Sequence, residues 1–446
     1  MTSGLQEFLG SWLQRTSFSA QSRDALALAT VPEGRALLRN RIAILDVEIP
    51  VLEDALKALL EERKWAQERL DAYAYPVLTL PNEVVSDIFL QYIPPYPERP
   101  TLLGDASPTN LLQICRRWRE IALSTPALWR AFQPGLGFWR QGGHALAAEL
   151  EAAQIWLSRS CSLPLSIRTR HGDGTFLGID QGVRIGEFLS AVVPHRSRWE
   201  HASLDLACGP SLGSDTHMID GDMLNLRQLH VVLHPEKTWC PVMCSVAPKL
   251  RTVFLETRAD IGSYDRLVQL LSVPWGQLTR LFLNSVRPSL AVDILTRTPG
   301  LVECQINIEE CDDDGEAQTA VLASKSLRAL RLARLETLIL GFRTAAMGYP
   351  PQDTFLNILR LPFLRKLLMD EDFLAAGPDG VSRTEAVKAL VKILDCPLES
   401  LRLCVVHSTT TLEVYRAAFP DSEIPHLEVH GWDAPWDSSI WGEWKV

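Results

Sequence analysis

Nowhere in the 446 residues do about 18 apolar side chains run without a charge, the length a membrane-spanning helix needs. No membrane partner is therefore expected. The opening "MTSGLQEFLGSWLQRTSFSA" lacks both a basic leader and an unbroken apolar stretch, so a cytoplasmic or nuclear protein is expected. Basic clusters are also missing: 44 Lys and Arg stand against 54 Asp and Glu, a net charge of -10, which argues against a nucleic-acid partner. The nine cysteines have no regular spacing, and they read as free buried thiols in a reducing compartment rather than a disulfide framework.

Chemistry-bearing motifs are scarce as well. There is no Gly-rich phosphate loop, G-x-G-x-x-G or zincin motif. "GPSLG" fits the nucleophile-elbow pattern around Ser211, but Pro210 sits awkwardly in so strained a turn and no helix pattern follows. His230, His234, Cys240 and Cys244 are near one another without the tight pairs of a zinc site. "EECDDDGE" (309–316) lacks the alternating ligands of a calcium loop, and His426 and His430 lie in a stretch that reads extended, so they do not share a helix face. All of these read as structural. The expectation is a non-enzyme with no catalytic residue, no metal and no cofactor.

What the sequence does contain is patterning. From Leu38 to Tyr73 apolar residues recur in alternating steps of four and three, the a/d seam of a coiled coil, weakened late by Arg63 and Ala66. Pro50 costs roughly 3 kcal/mol in a helix interior, so a bent helix or two shorter ones are expected there. Residues 38–73 either form a homodimer or pack on the chain's own body. In "YPVLTLPNEVVSDIFLQYIPP", Pro81 and Glu83 mark a helix start, and Val84, Val85, Ile88, Phe89 and Tyr92 form a stripe that ends before Pro94 and Pro95. In "LLQICRRWREIALSTPALW", Leu111, Ile114, Cys115, Trp118, Ile121 and Ala122 predict one amphipathic helix that stops at Pro126. These short helices are too few to bury their wide apolar faces alone, so they dock on a partner or on the rest of the chain.

Beyond residue 199 a degenerate L-x-x-L-x-L recurs, starting at Leu226, Leu250, Leu278, Leu301, Leu335, Leu364 and Leu398, with "WEHASL" from Trp199 as a first copy. Helix-like stretches such as "SLAVDILTRTPG" and "TEAVKALVKILDCP" separate the copies. Strand, turn and helix repeat as in an irregular leucine-rich-repeat-like solenoid; a doubly wound α/β sheet is the other architecture with such alternation. The fold class is α/β. The organisation is an N-terminal segment (1–36), a heptad helix (37–74), a small all-α module (75–135), a helical junction (136–198), the array (199–430) and a Trp-rich tail (431–446), which either caps the last repeat or lines a binding surface.

"LTLPNEVVSDIFLQYI" followed by "LLQICRRWREIALSTPALWRAF" resembles an F-box, through Leu80, Pro81, Glu83, Ile88, Phe89, Cys115, Trp118, Leu128 and Trp129. The flanking heptad helix, "YPVLTLP", "WLSRSCSLPLSI" and the leucine-rich tail resemble one fungal type of F-box protein. The departure is the Pro-rich loop from Pro94 to Asn110, which alters the usual helix spacing. The resemblance implies a substrate-recognition subunit of a Skp, cullin and F-box ubiquitin ligase. It implies adaptor contact through Leu80, Pro81, Val84, Ile88, Leu112, Cys115 and Trp118. An unknown target protein would meet outward-facing strand positions, with Arg227, His230, Arg251, Arg280, Glu336, Lys366 and Arg402 as candidates. A repeat-array scaffold acting outside any ligase is the alternative.

Overall fold

The computed structural model describes residues 32–72, 76–135, 143–169, 179–208, 219–233, 238–239, 241–244, 246–257, 264–308, 329–342, 353–374, 380–405, 411–420 and 424–431. Ser211, His234, Cys240, the acidic 309–316 run and the tail from Trp432 lie outside these. The chain divides into two compact units between Leu80 and Pro81.

The first unit contains helix α1 (Pro32–Ala72), which runs as one element through Pro50. Two shorter helices are thus not what forms. Pro50 lies beside Ile49 and off the heptad seam. Leu38, Ile42, Ile49, Leu56, Leu59 and Leu70 of that seam are exposed, and Leu45 and Leu52 are half-buried.

The second unit opens with α2 (Asn82–Tyr92), which Pro81 precedes in an extended conformation and which ends where Ile93 turns extended ahead of Pro94. The single helix expected after residue 110 is two: α3 (Leu111–Ile114) and α4 (Arg116–Leu123). Between them Cys115 is extended (φ -155°, ψ 168°), and its Sγ accepts the Trp118 N–H at 3.5 Å as an N-cap. The periodicity carries no trace of this break, and past it the faces no longer match a single helix: Leu111 and Ile121 are buried while Ile114 is exposed. A 3-10 turn (Pro126–Trp129) follows.

Eleven strands then form one sheet: β1 (Ala131–Phe132), β2 (Leu165–Arg168), β3 (Trp199–Asp205), β4 (Gln228–Leu233), β5 (Thr252–Thr257), β6 (Arg280–Val286), β7 (Glu303–Ile308), β8 (Thr337–Phe342), β9 (Lys366–Asp370), β10 (Ser400–Val405) and β11 (His426–Gly431). All pairings are parallel and strand order is chain order, with no reversal of the kind a doubly wound sheet has at its switch point. The sheet begins at residue 131, earlier than the repeat pattern. The segment read as a helical junction supplies β2 together with α5 (Gly143–Arg159) and α6 (Ile179–Val192).

Each L-x-x-L-x-L copy contributes in the same way. Its first leucine is buried just before the strand, and its next two apolar residues point to one face. The register stacks Ala202, Leu229, Val253, Leu281, Cys304, Leu338, Leu367, Leu401 and Leu427 into a single buried row. Helices α7 (Tyr264–Leu270), α8 (Pro288–Thr296), α9 (Asp353–Ile358), α10 (Gly380–Leu394) and α11 (Leu412–Ala418) join successive strands. In α8, Pro288 occupies the first turn, where no N–H is needed, and almost every side chain is buried. Glu371 after β9 accepts hydrogen bonds from Arg383 of α10 (3.0 Å) and from the Tyr415 hydroxyl of α11, a buried polar tie between helices and sheet.

Candidate partner-binding face

On α2 the apolar side chains divide by face. Val85 and Phe89 are buried, and Phe89 meets Trp118 of α4 with ring centroids 4.9 Å apart. Polar ties fix the same packing: Arg117 donates to the Asn82 side chain at 3.1 Å, and the Ser86 and Thr125 hydroxyls are 3.0 Å apart. Val84, Ile88 and Tyr92, spaced i, i+4 and i+8 on one side of the helix, stay 42%, 44% and 45% exposed. Ile114 at the end of α3 is 57% exposed. The Tyr92 hydroxyl donates to the Asp105 carbonyl at 2.7 Å, while its ring continues the exposed apolar row begun by Val84 and Ile88.

Of the residues expected at the adaptor, Val84 and Ile88 are in this stripe and Pro81 is exposed at its start. Leu112 and Cys115 are half-buried, and Cys115 is engaged as the cap of α4. Trp118 packs inward against Phe89 and is not part of the stripe. Leu80 is half-buried at the end of the other unit. Tyr92 belongs to the stripe through its spacing from Ile88, which the sequence displays. Ile114 could not be found that way, since an unbroken helix puts it on the inner face.

The closing Leu128 and Trp129 are fully buried. Trp129 donates its indole N–H to the Ala122 carbonyl (3.0 Å), stacks edge-on with Trp156 of α5 (5.2 Å), and carries the Arg159 guanidinium 4.7 Å from its ring. Phe132 of β1 meets the same Trp156 at 6.0 Å. The small helical module therefore shares its core with the first strand of the sheet.

The Pro-rich loop is built into this junction. Leu102 N–H donates to the Gln133 carbonyl and Gln133 N–H to the Pro100 carbonyl, extending the sheet beyond β1. The Pro97 carbonyl accepts from Ser166 of β2 (2.6 Å), and the Tyr96 hydroxyl donates to Glu200 of β3 (2.7 Å). The loop thus leaves α2, straps across three strands and returns to α3. Nearby, the buried Glu149 of α5 accepts from the Gly135 N–H at 3.1 Å, and burial still raises its carboxyl to about 7.

A family model described as F-box-like matches residues 77–132, the stretch that holds α2, α3, α4, the Trp129 turn and β1. The chain carries an F-box-like domain. Among curated proteins no match was found.

The residues considered for target contact lie along the sheet. His230, Arg280, Lys366 and Arg402 are on the strand face opposite the buried leucine row. Arg227, Arg251 and Glu336 are not strand positions: each comes one residue ahead of its strand, where the backbone is still entering the ladder. Three of the arginines are paired with an acidic neighbour: Arg227 with Glu200 (2.9 Å), Arg280 with Glu303 (2.5 Å) and Arg402 with Glu428 (2.6 Å). Between them the face is mixed: Phe254 and Phe282 lie 5.6 Å apart beside Glu256, Asn284, Gln305 and Asn307, and the repeat pattern hides the two rings because they occupy its variable positions.

His230 hydrogen-bonds Ser203 at 3.1 Å, and Cys244, its thiol pushed up to about 12 by burial, donates to the Met223 sulfur. The two are thus occupied elsewhere, and no group of three or more His, Cys, Asp or Glu side chains able to hold a metal is found among the described residues. No helix among them is long and apolar enough to cross a membrane.

Proposed function

We propose that this protein is the substrate-recognition subunit of a Skp, cullin and F-box ubiquitin ligase, with no catalytic activity of its own. The observation that carries the reading is the exposed Val84, Ile88 and Tyr92 stripe on the first helix of the F-box-like domain. A Skp-type adaptor takes that stripe, with Pro81 and Ile114 beside it, and links the chain to a cullin. The sheet acts as a leucine-rich-repeat-like solenoid whose open face holds a target protein. Its role is positioning, since tethering a target near the ligase raises effective concentration without a reactive site.

Co-expression with a Skp-type adaptor tests this. The wild type should elute with the adaptor as a 1:1 complex, and Ile88→Asp should lose it while the circular dichroism spectrum stays unchanged. A folded wild type that elutes alone would leave a free-standing scaffold as the reading. We further propose that a second copy pairs through α1. Ile42 and Ile49 fall at a positions with Leu38, Leu45, Leu52 and Leu59 at d, the choice that favours a parallel two-stranded coiled coil. Light scattering on the eluted peak should read a dimer; a monomer at micromolar concentration would refute that pairing.

A further inference from the structure

Lysine is the scarce cation of this chain: 9 lysines stand against 35 arginines. Its distribution is uneven as well. Between Lys64 and Lys237 there are 14 lysine or arginine residues, and every one is arginine. That stretch holds the whole F-box-like match (77–132) and the first four strands, β1 to β4. Some of these arginines use what a guanidinium alone offers: Arg198 donates to the Leu157 and Leu163 carbonyls and to the Ser160 hydroxyl, and Arg159 lies over the Trp129 ring. Others do not. Arg116, its side chain 91% exposed, reaches Glu120 one turn on at 2.9 Å, and Arg227, 62% exposed, reaches Glu200 at 2.9 Å. Outside the stretch lysine makes the same kind of surface pair, Lys64 with Glu68 (3.9 Å) and Lys388 with Glu385 (3.3 Å).

What separates the two cations at such exposed positions is reactivity. A lysine amine that has lost its proton is a nucleophile, whereas a guanidinium keeps its proton to a pH of about 12 or beyond and is not. We infer that the arginines of residues 65–236 keep the F-box-like domain and strands β1 to β4 free of ubiquitin-acceptor amines, so that a ligase holding this chain modifies its target in preference to this part of its own subunit. The inference rests on the reading that the chain is such a subunit. In the transfer, a lysine Nζ attacks the carbonyl carbon of the thioester that joins the ubiquitin C-terminus to a cysteine of a conjugating enzyme. The C–N amide bond forms, the C–S bond breaks, and the thiol leaves with the proton of the amine. Any amine on a tethered subunit meets that thioester at a raised effective concentration, as the amines of a tethered target do. Each acceptor on the subunit therefore competes with the target.

The test is self-modification of the full chain, co-purified with a Skp-type adaptor and supplied with cullin, conjugating enzyme, ubiquitin and ATP. Mass spectrometry of Gly-Gly remnants on lysine reads the modified positions. Wild type is compared with Arg116→Lys/Arg227→Lys, and with Arg116→Gln/Arg227→Gln, which loses the same two ion pairs without gaining an amine. The lysine variant should carry remnants at 116 and 227, with ubiquitin per chain raised roughly threefold or more over wild type. The glutamine variant should behave as wild type. A lysine variant that holds the adaptor and is modified no more than wild type, or a glutamine variant that rises as far, would overturn the inference and leave the subunit reading standing. A folded wild type that does not hold the adaptor sinks that reading, and the inference with it.

Discussion

The sheet and the F-box-like domain treat the same residue types in opposite ways. In the sheet, the leucines that open each copy and the row from Leu229 to Leu427 are buried, each strand covering the next. On α2, side chains of equal size at equal regularity stand in water. A parallel ladder supplies a neighbour for each strand from within the chain, whereas α2 packs on α4 and the Trp129 turn and buries one side. Apolar periodicity therefore states that a face needs covering. Whether the chain itself does the covering depends on how many elements are stacked there.

That contrast can be broken at the sheet first. Leu281→Ala removes a fully buried side chain from the middle of the row and should cost about 2–5 kcal/mol in denaturant unfolding, with adaptor binding by the folded fraction retained. At the junction a pH-dependent effect of intermediate size is expected. The Glu149 carboxyl is raised from 4.5 to about 7, so the folded state holds its proton more tightly than the unfolded chain does. Its contribution is therefore fully present below about pH 4.5 and is lost as pH rises through 7. Glu149→Gln should flatten that slope and stabilise the protein above pH 7 by up to roughly 3 kcal/mol, measured as midpoints across the range. The smallest change in stability belongs to Ile88→Asp, within about 0.5 kcal/mol of wild type because the site is already exposed. A large loss of stability there would mean that the α2 stripe is core and the contrast is false.

Much of this was legible in the residues. The L-x-x-L-x-L copies located strands β3 to β10, since a buried strand face and a 2-residue alternation are the same statement. The α2 stripe was visible too, although periodicity alone could not say that Val85 and Phe89 turn inward while Val84 and Ile88 do not. Other features depend on contacts between residues far apart in sequence. Cys115 breaks a helix that propensity would continue. Tyr96 and Pro97 find partners 104 and 69 positions away, so a loop that reads as a spacer is a tether. The Glu371, Arg383 and Tyr415 tie likewise joins residues that show no motif.

β1 is at once the last piece of the F-box-like domain and the edge strand of the sheet, with the strap hydrogen-bonded to the residue that follows it. The F-box-like domain and the sheet are thus joined without a linker. Whatever sits on α2 is held at a distance and angle from the strands that the backbone dictates, like two jaws cut from one piece of metal. If the chain is the substrate-recognition subunit proposed above, selection among targets would act on their geometry as well as their affinity: a protein held on the strands would have to bring its modifiable lysine to a point fixed in space, and one that binds equally well at the wrong tilt would be held and left unchanged.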